Sequence, residues 1–464
     1  MAKKKCSIAG DVEHSSLTVA LWVLFFFCSI LPLPLPNGYD WVIAMLLCVA
    51  IFLKGICSFL RNAVDTPIAN PWILLVQVIG VSFLLTFALF VKVTFLFYAV
   101  SFCLVIPLIY LTFQENGIAG IISAMARGFN VAFWILVVLS FFFGPAYSAG
   151  VQYSSFFSDP NVLGYVITSV MPCTGYLFIG ALREGGQRKL VYAAALAVQV
   201  TMALMTASRT TTLSLVPQIA VIAVVAFRVL RARNDFRTKR VLILRSVVSC
   251  LLTFVLAASA TLGLFTFGKS AIDGSLTADS PSNALTQGSN SGFSAMLESN
   301  VRRYSKGLDT GNYNDFSSGR LGIWASFLQD IEPLGHESET KPVVSGSRNY
   351  DFIYAHNVFI QVAYSGGLFA GVSMCLIMLI SLIQAGAMVL GGKSAARHSL
   401  SPELVTFFAC VVFGYFIYAF LGNGYAMFKY LPASVFWIAS AALYASCRTP
   451  ECRECCRNQS RQLS

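Results

Sequence analysis

Apolar stretches about as long as a membrane span recur along the chain from Leu17 to Tyr444. A helix needs about 20 predominantly apolar residues to cross the hydrocarbon core of a bilayer. Twelve stretches come near this length: 17–35, 39–60, 71–91, 93–113, 128–147, 161–182, 190–207, 210–227, 243–266, 355–390, 402–421 and 427–447. The pattern therefore predicts an all-α polytopic membrane protein with about 12 transmembrane helices.

Composition supports this class. Of 464 residues, 56% are hydrophobic and 11% are charged, whereas soluble domains carry about 25% charged residues. Soluble, secreted and disordered classes are therefore excluded. The first apolar stretch follows Lys3–Lys5 as in a signal peptide, but Leu31–Pro36 takes the place of a small-residue cleavage site. We interpret it as a retained first span.

Basic residues are distributed unequally over the two sets of predicted loops. Such residues collect on the cytoplasmic side of membrane proteins, and their distribution predicts that both termini are cytoplasmic. Three lie in the outer connections apart from one long loop: Lys92, Arg209 and Lys429. The net charge of +11 then reflects topology rather than nucleic-acid binding, for which no basic and aromatic groove is present.

This topology divides the chain into four regions. Residues 1–266 contain spans one to nine, 267–353 form a long periplasmic loop with short amphipathic helices, 354–447 contain spans ten to twelve, and 448–464 form a cytoplasmic tail rich in cysteine and arginine. None of the 13 cysteines lies in the long loop, so no disulfide framework is predicted. For the tail cysteines we favour reduced thiols over a metal site.

Arg209 is the first candidate for chemistry. Between Lys189 and Arg228, both predicted inside, lie 38 residues. As a helix they would extend about 57 Å at ~1.5 Å per residue, nearly twice the ~30 Å hydrocarbon core. The segment must therefore cross outward and return, which places Arg209 at the outer tip of a helical hairpin. It is either an interfacial anchor or a functional cation.

Arg320 is the second candidate. An amphipathic helix is predicted over Ser318–Asp330, with Ser318 as its N-cap, from the apolar positions Leu321, Trp324, Phe327, Leu328 and Ile331. Arg320 falls in the first turn, where unpaired N–H groups and the helix dipole attract anions. Its guanidinium can bind phosphate in a bidentate manner. The alternatives are a solvated arginine or one paired with Asp315.

Two more features lie at the same outer face. His356 begins the tenth span, and its neutral imidazole can accept a proton from a hydroxyl near neutral pH; the alternative is a histidine that only caps the helix. Asp159, Pro160 and Asn161 begin the sixth span. For Asp159 we favour an N-cap role, with contact to a substrate as the alternative.

Taken together, these residues indicate a type of reaction. Two arginines suit a diphosphate, a histidine suits deprotonation of an acceptor hydroxyl, and the adjoining bilayer suits a lipid-anchored donor. The combination predicts transfer chemistry on a lipid diphosphate outside the membrane.

Four short motifs resemble those of a known family. Thr206–Thr210 (TASRT), Ser318–Trp324 (SGRLGIW), His356–Asn357 followed after nine residues by Gly367, and Ser158–Gly164 (SDPNVLG) are similar to segments of the bacterial O-antigen ligase and O-antigen polymerase superfamily. Their order and predicted topology also resemble that family. The resemblance extends over roughly residues 150 to 385.

The resemblance implies a GT-C-like, metal-independent, inverting glycosyltransferase of the bacterial inner membrane, with no cofactor. It would move a glycan from undecaprenyl diphosphate to a sugar hydroxyl at the periplasmic face. By motif, Arg209 and Arg320 would bind the diphosphate and His356 would act as general base. Asp159, Asn161 and Asn357 are candidates for further substrate contacts. Other polysaccharide-assembly proteins are candidate partners.

Alternatives remain within and outside this family. A polymerase extends another lipid-linked repeat unit, whereas a ligase transfers to lipid A-core. The ligase motif often has Gly, Thr or Val three residues after its glycine, and Ala370 at that place favours a polymerase. From other classes, twelve spans also suit a polysaccharide transporter or flippase, and a non-catalytic chain-length factor is a further alternative. No Asp-x-Asp pair or P-loop is present, which argues against a nucleotide-sugar donor.

Overall fold

A computed structural model describes residues 16–31, 41–53, 70–147, 152–157, 159–232, 240–271, 298, 301, 319–345, 348–390, 400–422, 424 and 428–446. Its helices are α1 (Ser16–Cys28), α2 (Trp41–Ile51), α3 (Pro71–Phe90), α4 (Val93–Val100), α5 (Ile106–Asn116), α6 (Ile118–Phe143), α7 (Pro160–Glu184), α8 (Arg188–Met205), α9 (Arg209–Ala232), α10 (Arg240–Gly263), α11 (Arg320–Gln329), α12 (Val358–Gly366), α13 (Leu368–Leu390), α14 (Pro402–Leu421) and α15 (Leu431–Ser446). Two π-helical turns join α4 to α5 (Ser101–Val105) and extend α10 (Leu264–Gly268).

The protein is an all-α polytopic membrane protein. Within the described residues, nine helices are long and apolar enough to cross a membrane. They lie at nine of the twelve predicted spans. Three shorter apolar helices, α1, α2 and α15, lie at the other three. The total of twelve spans stays a prediction.

Two predicted spans differ from the structure. The fifth, predicted over 128–147, begins ten residues earlier at Ile118 and ends at Phe143, because Arg127 interrupts the hydropathy without interrupting the helix. The tenth, predicted as one helix over 355–390, is broken at Gly367. Gly367 has a φ of +91°, and a Cβ there would lie 2.2 Å from the Pro333 carbonyl oxygen. A side chain is excluded at this position.

A β-hairpin lies in the long loop, where only short helices are predicted from the sequence. Strands β1 (Lys341–Ser345) and β2 (Arg348–Ile353) pair antiparallel, with Val343 opposite Tyr350. Val343 is buried and Val344 is exposed, which is the alternation of a half-buried strand. The hairpin leads directly into His356 and is therefore part of what positions that residue.

The central helices are α7, α9 and α14, which pack against one another. In α7, 72% of the residues of its most apolar stretch are buried inside the protein, whereas in the span Leu244–Ala271 the value is 11%. Small residues permit the close packing: a Cβ at Gly414 would lie 2.3 Å from Gln218 Nε2. We call the end of the bundle where α7 and α9 begin the site end, and the end where α7 ends and α8 begins the opposite end.

Candidate functional site at the start of helices α7 and α9

Arg209 is the first residue of α9, at the tip of the hairpin between α8 and α9, as predicted. The turn before it is held by side chains. Ala207 adopts a left-handed φ of 47°, and Thr206 Oγ1 accepts a hydrogen bond from Ser208 N at 3.2 Å. Ser208 Oγ in turn accepts from Thr211 N at 3.4 Å and so caps α9. Arg209 therefore projects from a fixed helix start.

The start of α7 is tied to this turn. Asp159 Oδ1 accepts hydrogen bonds from Asn161 N at 2.8 Å and from Asn161 Nδ2 at 2.9 Å. The predicted N-cap role of Asp159 is thus confirmed, while Ser158 lies outside the described residues. Asn161 Oδ1 accepts from Ser208 Oγ at 2.7 Å. Asn161 therefore joins the starts of two helices and fixes Arg209 relative to Asp159.

A glycine brings α7 and α9 together just beyond this joint. A Cβ at Gly164 would lie 1.8 Å from Thr211 Oγ1 and 3.0 Å from its Cβ. No side chain fits there unless α9 shifts. Gly164 therefore sets the spacing between the two helices at the level of the site.

Arg320 is the first residue of α11, which covers Arg320–Gln329 within the predicted range. Its N-cap is Gly319, with a φ of 82°; the predicted cap Ser318 and the alternative partner Asp315 lie outside the described residues. A small cluster outside the main core anchors α11, and its members are Ile323, Phe327, Val343, Ala355 and Tyr364. These contacts fix α11 against the hairpin and α12.

His356 lies in the short connection between β2 and α12. Its φ of 51° is left-handed, which is uncommon for a non-glycine residue and recurs at functional sites. On one side, Ala355 N donates to Gln361 Oε1 at 2.8 Å. On the other, Asn357 Oδ1 accepts from Phe359 N at 3.0 Å and from Ile360 N at 3.1 Å. Asn357 is therefore the helix cap, and the interpretation of His356 as a cap is wrong.

Asn357 itself is 4% exposed, and its Nδ2 donates to the Phe420 carbonyl at 3.4 Å. Both polar ends of its side chain are thus used within the protein. The structure assigns Asn357 a role in holding His356, and a direct substrate contact by Asn357 stays a prediction.

The charges of these residues act on one another. The pKa of His356 is lowered to about 4, first by burial and then by the positive charge of Arg320, while Asp159 opposes the shift. Burial also lowers the pKa of Arg320; Tyr165 opposes this shift, and the charge of Arg209 adds to it. Arg320 thus lies within electrostatic reach of Arg209 and of His356, and His356 also lies within reach of Asp159.

This arrangement suits an anionic ligand beside a hydroxyl. Among the described residues, Arg320 makes no ion pair, and the ring of His356 makes no hydrogen bond. An arginine whose burial is not compensated by a carboxylate favours a phosphate-like group. A neutral imidazole at pH 7 is in the form that accepts a proton.

Tyr165 was not among the predicted site residues. It lies one turn after Asn161 on α7, within electrostatic reach of Asp159 and Arg320, and its ring packs edge-on against Tyr418 at 4.8 Å. The signal in the sequence was its spacing of four residues from Asn161, which puts both on one face of α7.

Lys429, which the sequence analysis counted only for topology, lies over the ring of Tyr354, two residues before His356, with its Nζ 5.9 Å from the ring centroid. Its Nζ lies 3.3 Å from Glu339 Oε2 and 3.3 Å from the Tyr98 hydroxyl, and that hydroxyl donates to Glu339 Oε1 at 3.1 Å. Burial lowers the pKa of Lys429, but Tyr98 and Glu339 outweigh it and leave the pKa above its usual range. The charged network ties the long loop to the bundle.

Compared with protein-family models and with the sequences of curated proteins, the chain matches none of them. Within the described residues, no group of three or more His, Cys, Asp or Glu side chains is placed to hold a metal ion. The cysteines of the tail lie outside the described residues.

Proposed function

We propose that this protein is a metal-independent, inverting glycosyltransferase that acts on a glycan linked to undecaprenyl diphosphate, as a polymerase of a surface polysaccharide such as O-antigen, capsule or exopolysaccharide. One observation carries the proposal: Arg209, Arg320 and a neutral His356 come together at one end of the bundle, although they lie far apart in the chain. The resemblance of the surrounding motifs supports it. The proposed orientation places the site end at the periplasmic face, with both termini in the cytoplasm.

In the proposed reaction an acceptor sugar hydroxyl attacks the anomeric carbon of the lipid-linked glycan. The new C–O bond forms as the bond from that carbon to the phosphate oxygen breaks, and undecaprenyl diphosphate leaves with the electron pair. The ring of His356 takes the hydroxyl proton. Arg209 and Arg320 stabilise the charge that develops on the diphosphate. Attack opposite the leaving group inverts the anomeric centre.

The acceptor distinguishes a polymerase from a ligase. Ala370 occupies a place where the ligase motif often has Gly, Thr or Val, and this difference in sequence favours a polymerase. In the structure Ala370 is fully buried, and a Cβ at Gly366 would lie 3.2 Å from its Cβ. Position 370 therefore bears on the packing of α12 and α13 rather than on contact with an acceptor. Ligation to lipid A-core is accordingly the second candidate.

A gel of surface polysaccharide separates these candidates. A deletion strain is restored with the wild type, His356→Ala or His336→Phe, and the amount of each protein in the membrane is measured. His336 serves as a control outside the candidate site, since phenylalanine keeps the stacking of its ring on Tyr364, with centroids 4.0 Å apart, and loses only the contact of its Nε2 with the Asp330 carbonyl. We expect His336→Phe to restore the normal ladder and His356→Ala to fail.

Each pattern has a distinct meaning. A ladder reduced to single repeat units identifies a polymerase, while long chains retained on the lipid carrier identify a ligase. A transporter, flippase or chain-length factor does not need the proton acceptor. A normal ladder with His356→Ala would therefore reject the transferase in favour of those classes.

A further inference from the structure

A half-buried ion pair connects the long loop to the bundle near His356. Glu339 lies between α11 and β1, and Lys429 lies just before α15. Lys429 Nζ is 3.3 Å from Glu339 Oε2, and the two side chains are 26% and 15% exposed. The hydroxyl of Tyr98 on α4 donates a hydrogen bond to Glu339 Oε1 at 3.1 Å. Three segments that are far apart in the chain therefore meet at this carboxylate.

The main chain at Glu339 continues this connection into α12. Its carbonyl accepts a hydrogen bond from Gln361 Nε2 at 2.7 Å, and the same Nε2 donates to Ser365 Oγ at 2.9 Å. Gln361 is fully buried, and its Oε1 accepts from Ala355 N at 2.8 Å. Both N–H groups and the oxygen of the amide are thus bonded, which fixes the orientation of the side chain. Gln361 thereby joins Glu339 to Ala355, the residue before His356.

Lys429 also acts on this segment directly. Its Nζ lies 5.9 Å from the centroid of the Tyr354 ring, within the range of a cation–π contact. Tyr354 and Ala355 are the two residues before His356, which has a left-handed φ of 51°. A non-glycine residue keeps such a conformation only where its surroundings hold it there. Two routes therefore lead from Lys429 to His356, one through its ion pair and one through the Tyr354 ring.

A second ion pair between the loop and the bundle provides a comparison. Lys92 Nζ lies 3.0 Å from Glu337 Oε1 in the same stretch of the loop, but the two side chains are 51% and 64% exposed. Exposed pairs of this kind contribute little to stability. In the described part of the chain, neither residue is hydrogen-bonded to Gln361 or Ala355. The Lys92 pair thus attaches the same loop without this route to His356.

We propose that Lys429 and Glu339 are positioning residues, which hold His356 where it can take a proton from the acceptor hydroxyl. The effect on the reaction rate rests on the proposed transferase function, whereas the effect on the position of His356 does not. A misplacement of about 1 Å lowers the rate of a reaction by roughly 100-fold. Since Arg209 and Arg320 bind the diphosphate in the proposed reaction, loss of the ion pair should lower kcat and leave KM nearly unchanged.

NMR of the His356 ring tests the proposal without an activity assay. The chain has four histidines. When His14 and His398 are replaced by glutamine and His336 by phenylalanine, His356 gives the only ring signal in protein labelled with 13C-histidine. The dependence of this signal on pH gives the pKa of His356 in the absence of any donor or acceptor.

The pKa of His356 reports where the ring lies. Burial and the charge of Arg320 lower this pKa, and Asp159 opposes them. Among the charged residues that the structure describes, Arg320 and Asp159 act on the ring and Lys429 does not. Removal of Lys429 therefore changes the pKa through movement of the ring. A displaced ring loses burial, and its pKa rises toward the value of a free histidine, about 6.5.

Four variants carry the expected result. Lys429→Met and Glu339→Gln each remove one charge of the half-buried pair, and each should raise the pKa of His356 and lower kcat by roughly 10- to 100-fold. Lys429→Arg keeps the pair and should retain both wild-type values. Lys92→Met removes the exposed pair instead and should also retain them, so it is the matched control. Thermal unfolding checks that each variant is folded.

Gln361→Met tests the middle of this chain of contacts. It breaks the hydrogen bonds to Ala355 and Glu339 without a change of charge. If Lys429 acts through Gln361, the double variant Lys429→Met, Gln361→Met should lose less kcat than the product of the two single losses. A loss equal to that product would overturn the route through Gln361. If Gln361→Met does not fold, the four variants above decide the proposal.

The contrary results separate this proposal from the proposed function. An unchanged pKa of His356 in Lys429→Met and Glu339→Gln would overturn the positioning role, whatever kcat does. Equal changes in Lys92→Met would also overturn it, because the effect would then come from loosening the loop in general. If the pKa rises as expected but the wild type transfers no glycan, the positioning role stands and the proposed function fails. If the wild type transfers glycan and the pKa does not move, the reverse holds.

Discussion

The two ends of the bundle both contain arginines between helices, but carboxylates are placed differently at the two ends. At the opposite end, Arg183 contacts the buried Glu403. At the site end, Arg320 has no such partner among the described residues, and Asp159 uses an oxygen to cap α7. An arginine that already contacts a carboxylate, such as Arg183, stabilises the folded protein, whereas a half-buried arginine that no described carboxylate contacts, such as Arg320, favours an incoming anion. The position of the carboxylate, rather than the number of arginines, separates the two ends.

The largest effect is expected from a change of cation geometry at the site end. Arg209→Lys keeps the charge but loses the planar fork, so we expect turnover on a lipid-diphosphate donor to fall by roughly 10- to 100-fold, the equivalent of one or two charge-assisted hydrogen bonds. Arg231→Lys, an exposed change at the other end of the same helix, should leave turnover unchanged. Turnover of the purified variants measures both. Near-normal turnover of Arg209→Lys would remove its proposed bidentate role.

The sequence predicts the long helices of the bundle well, but it does not predict the features that depend on contacts between distant segments. Hydropathy predicts the nine long spans because an apolar run of sufficient length must be a helix in a bilayer. The break at Gly367 is invisible to it, since the residues on both sides are apolar and the cause is the Pro333 carbonyl from a distant loop. The β-hairpin was missed for a related reason: a short strand in a polar loop has little signal of its own.

For the site, topology predicted that Arg209, Arg320 and His356 share one face, but not that their charges act on one another. That proximity depends on side chains in between, such as Asn161 joining α7 to α9 and Gln361 anchoring Ala355. Tyr165 and Lys429 were missed because an aromatic or basic residue near the end of a span is usually an interfacial anchor. Their roles follow only from tertiary contacts.

The second effect concerns the spacing of α7 and α9 at the site. Gly164→Ala introduces a methyl group 1.8 Å from Thr211 Oγ1, which forces the helices apart and displaces Arg209 from Arg320. We expect about 1–3 kcal/mol of destabilisation and a loss of turnover. Adding Thr211→Ala to the same chain removes Thr211 Oγ1, the atom closest to the new methyl group, and should restore part of the stability and part of the turnover. Thermal unfolding and turnover of the single and double variants measure this. If the double variant is no better than Gly164→Ala, the loss has another origin.

A third effect is the pH dependence that distinguishes a neutral histidine from an ordinary one. Because the pKa of His356 is lowered to about 4, the proton-accepting form persists at pH values where a free histidine, with a pKa near 6.5, is largely charged. As pH falls, kcat/KM should therefore decline near pH 4. Removal of the Arg320 charge by Arg320→Gln should move this limb to higher pH, and Asp159→Asn should move it to lower pH.

The pH experiment has an internal check on folding. Enzyme held at the lowest pH and returned to pH 7 must regain its full rate. If kcat/KM declines near pH 6.5, and neither substitution moves that pH, then His356 is solvated and its pKa does not depend on Arg320 or Asp159. Shifts of opposite sign for the two substitutions would support the electrostatic arrangement of the site end.

The smallest effect is expected from a chelator, and it follows from the same contrast between the two ends. Where a metal ion assists the departure of a diphosphate, it neutralises the developing negative charge. At the site end, Arg209 and Arg320 provide that neutralisation, since an arginine remains charged at any working pH. EDTA should therefore leave the transfer rate unchanged, and added magnesium should not raise it. Loss of transfer with EDTA, restored by magnesium but not by sodium chloride of equal ionic strength, would show that the two arginines are insufficient and that a cation completes the site.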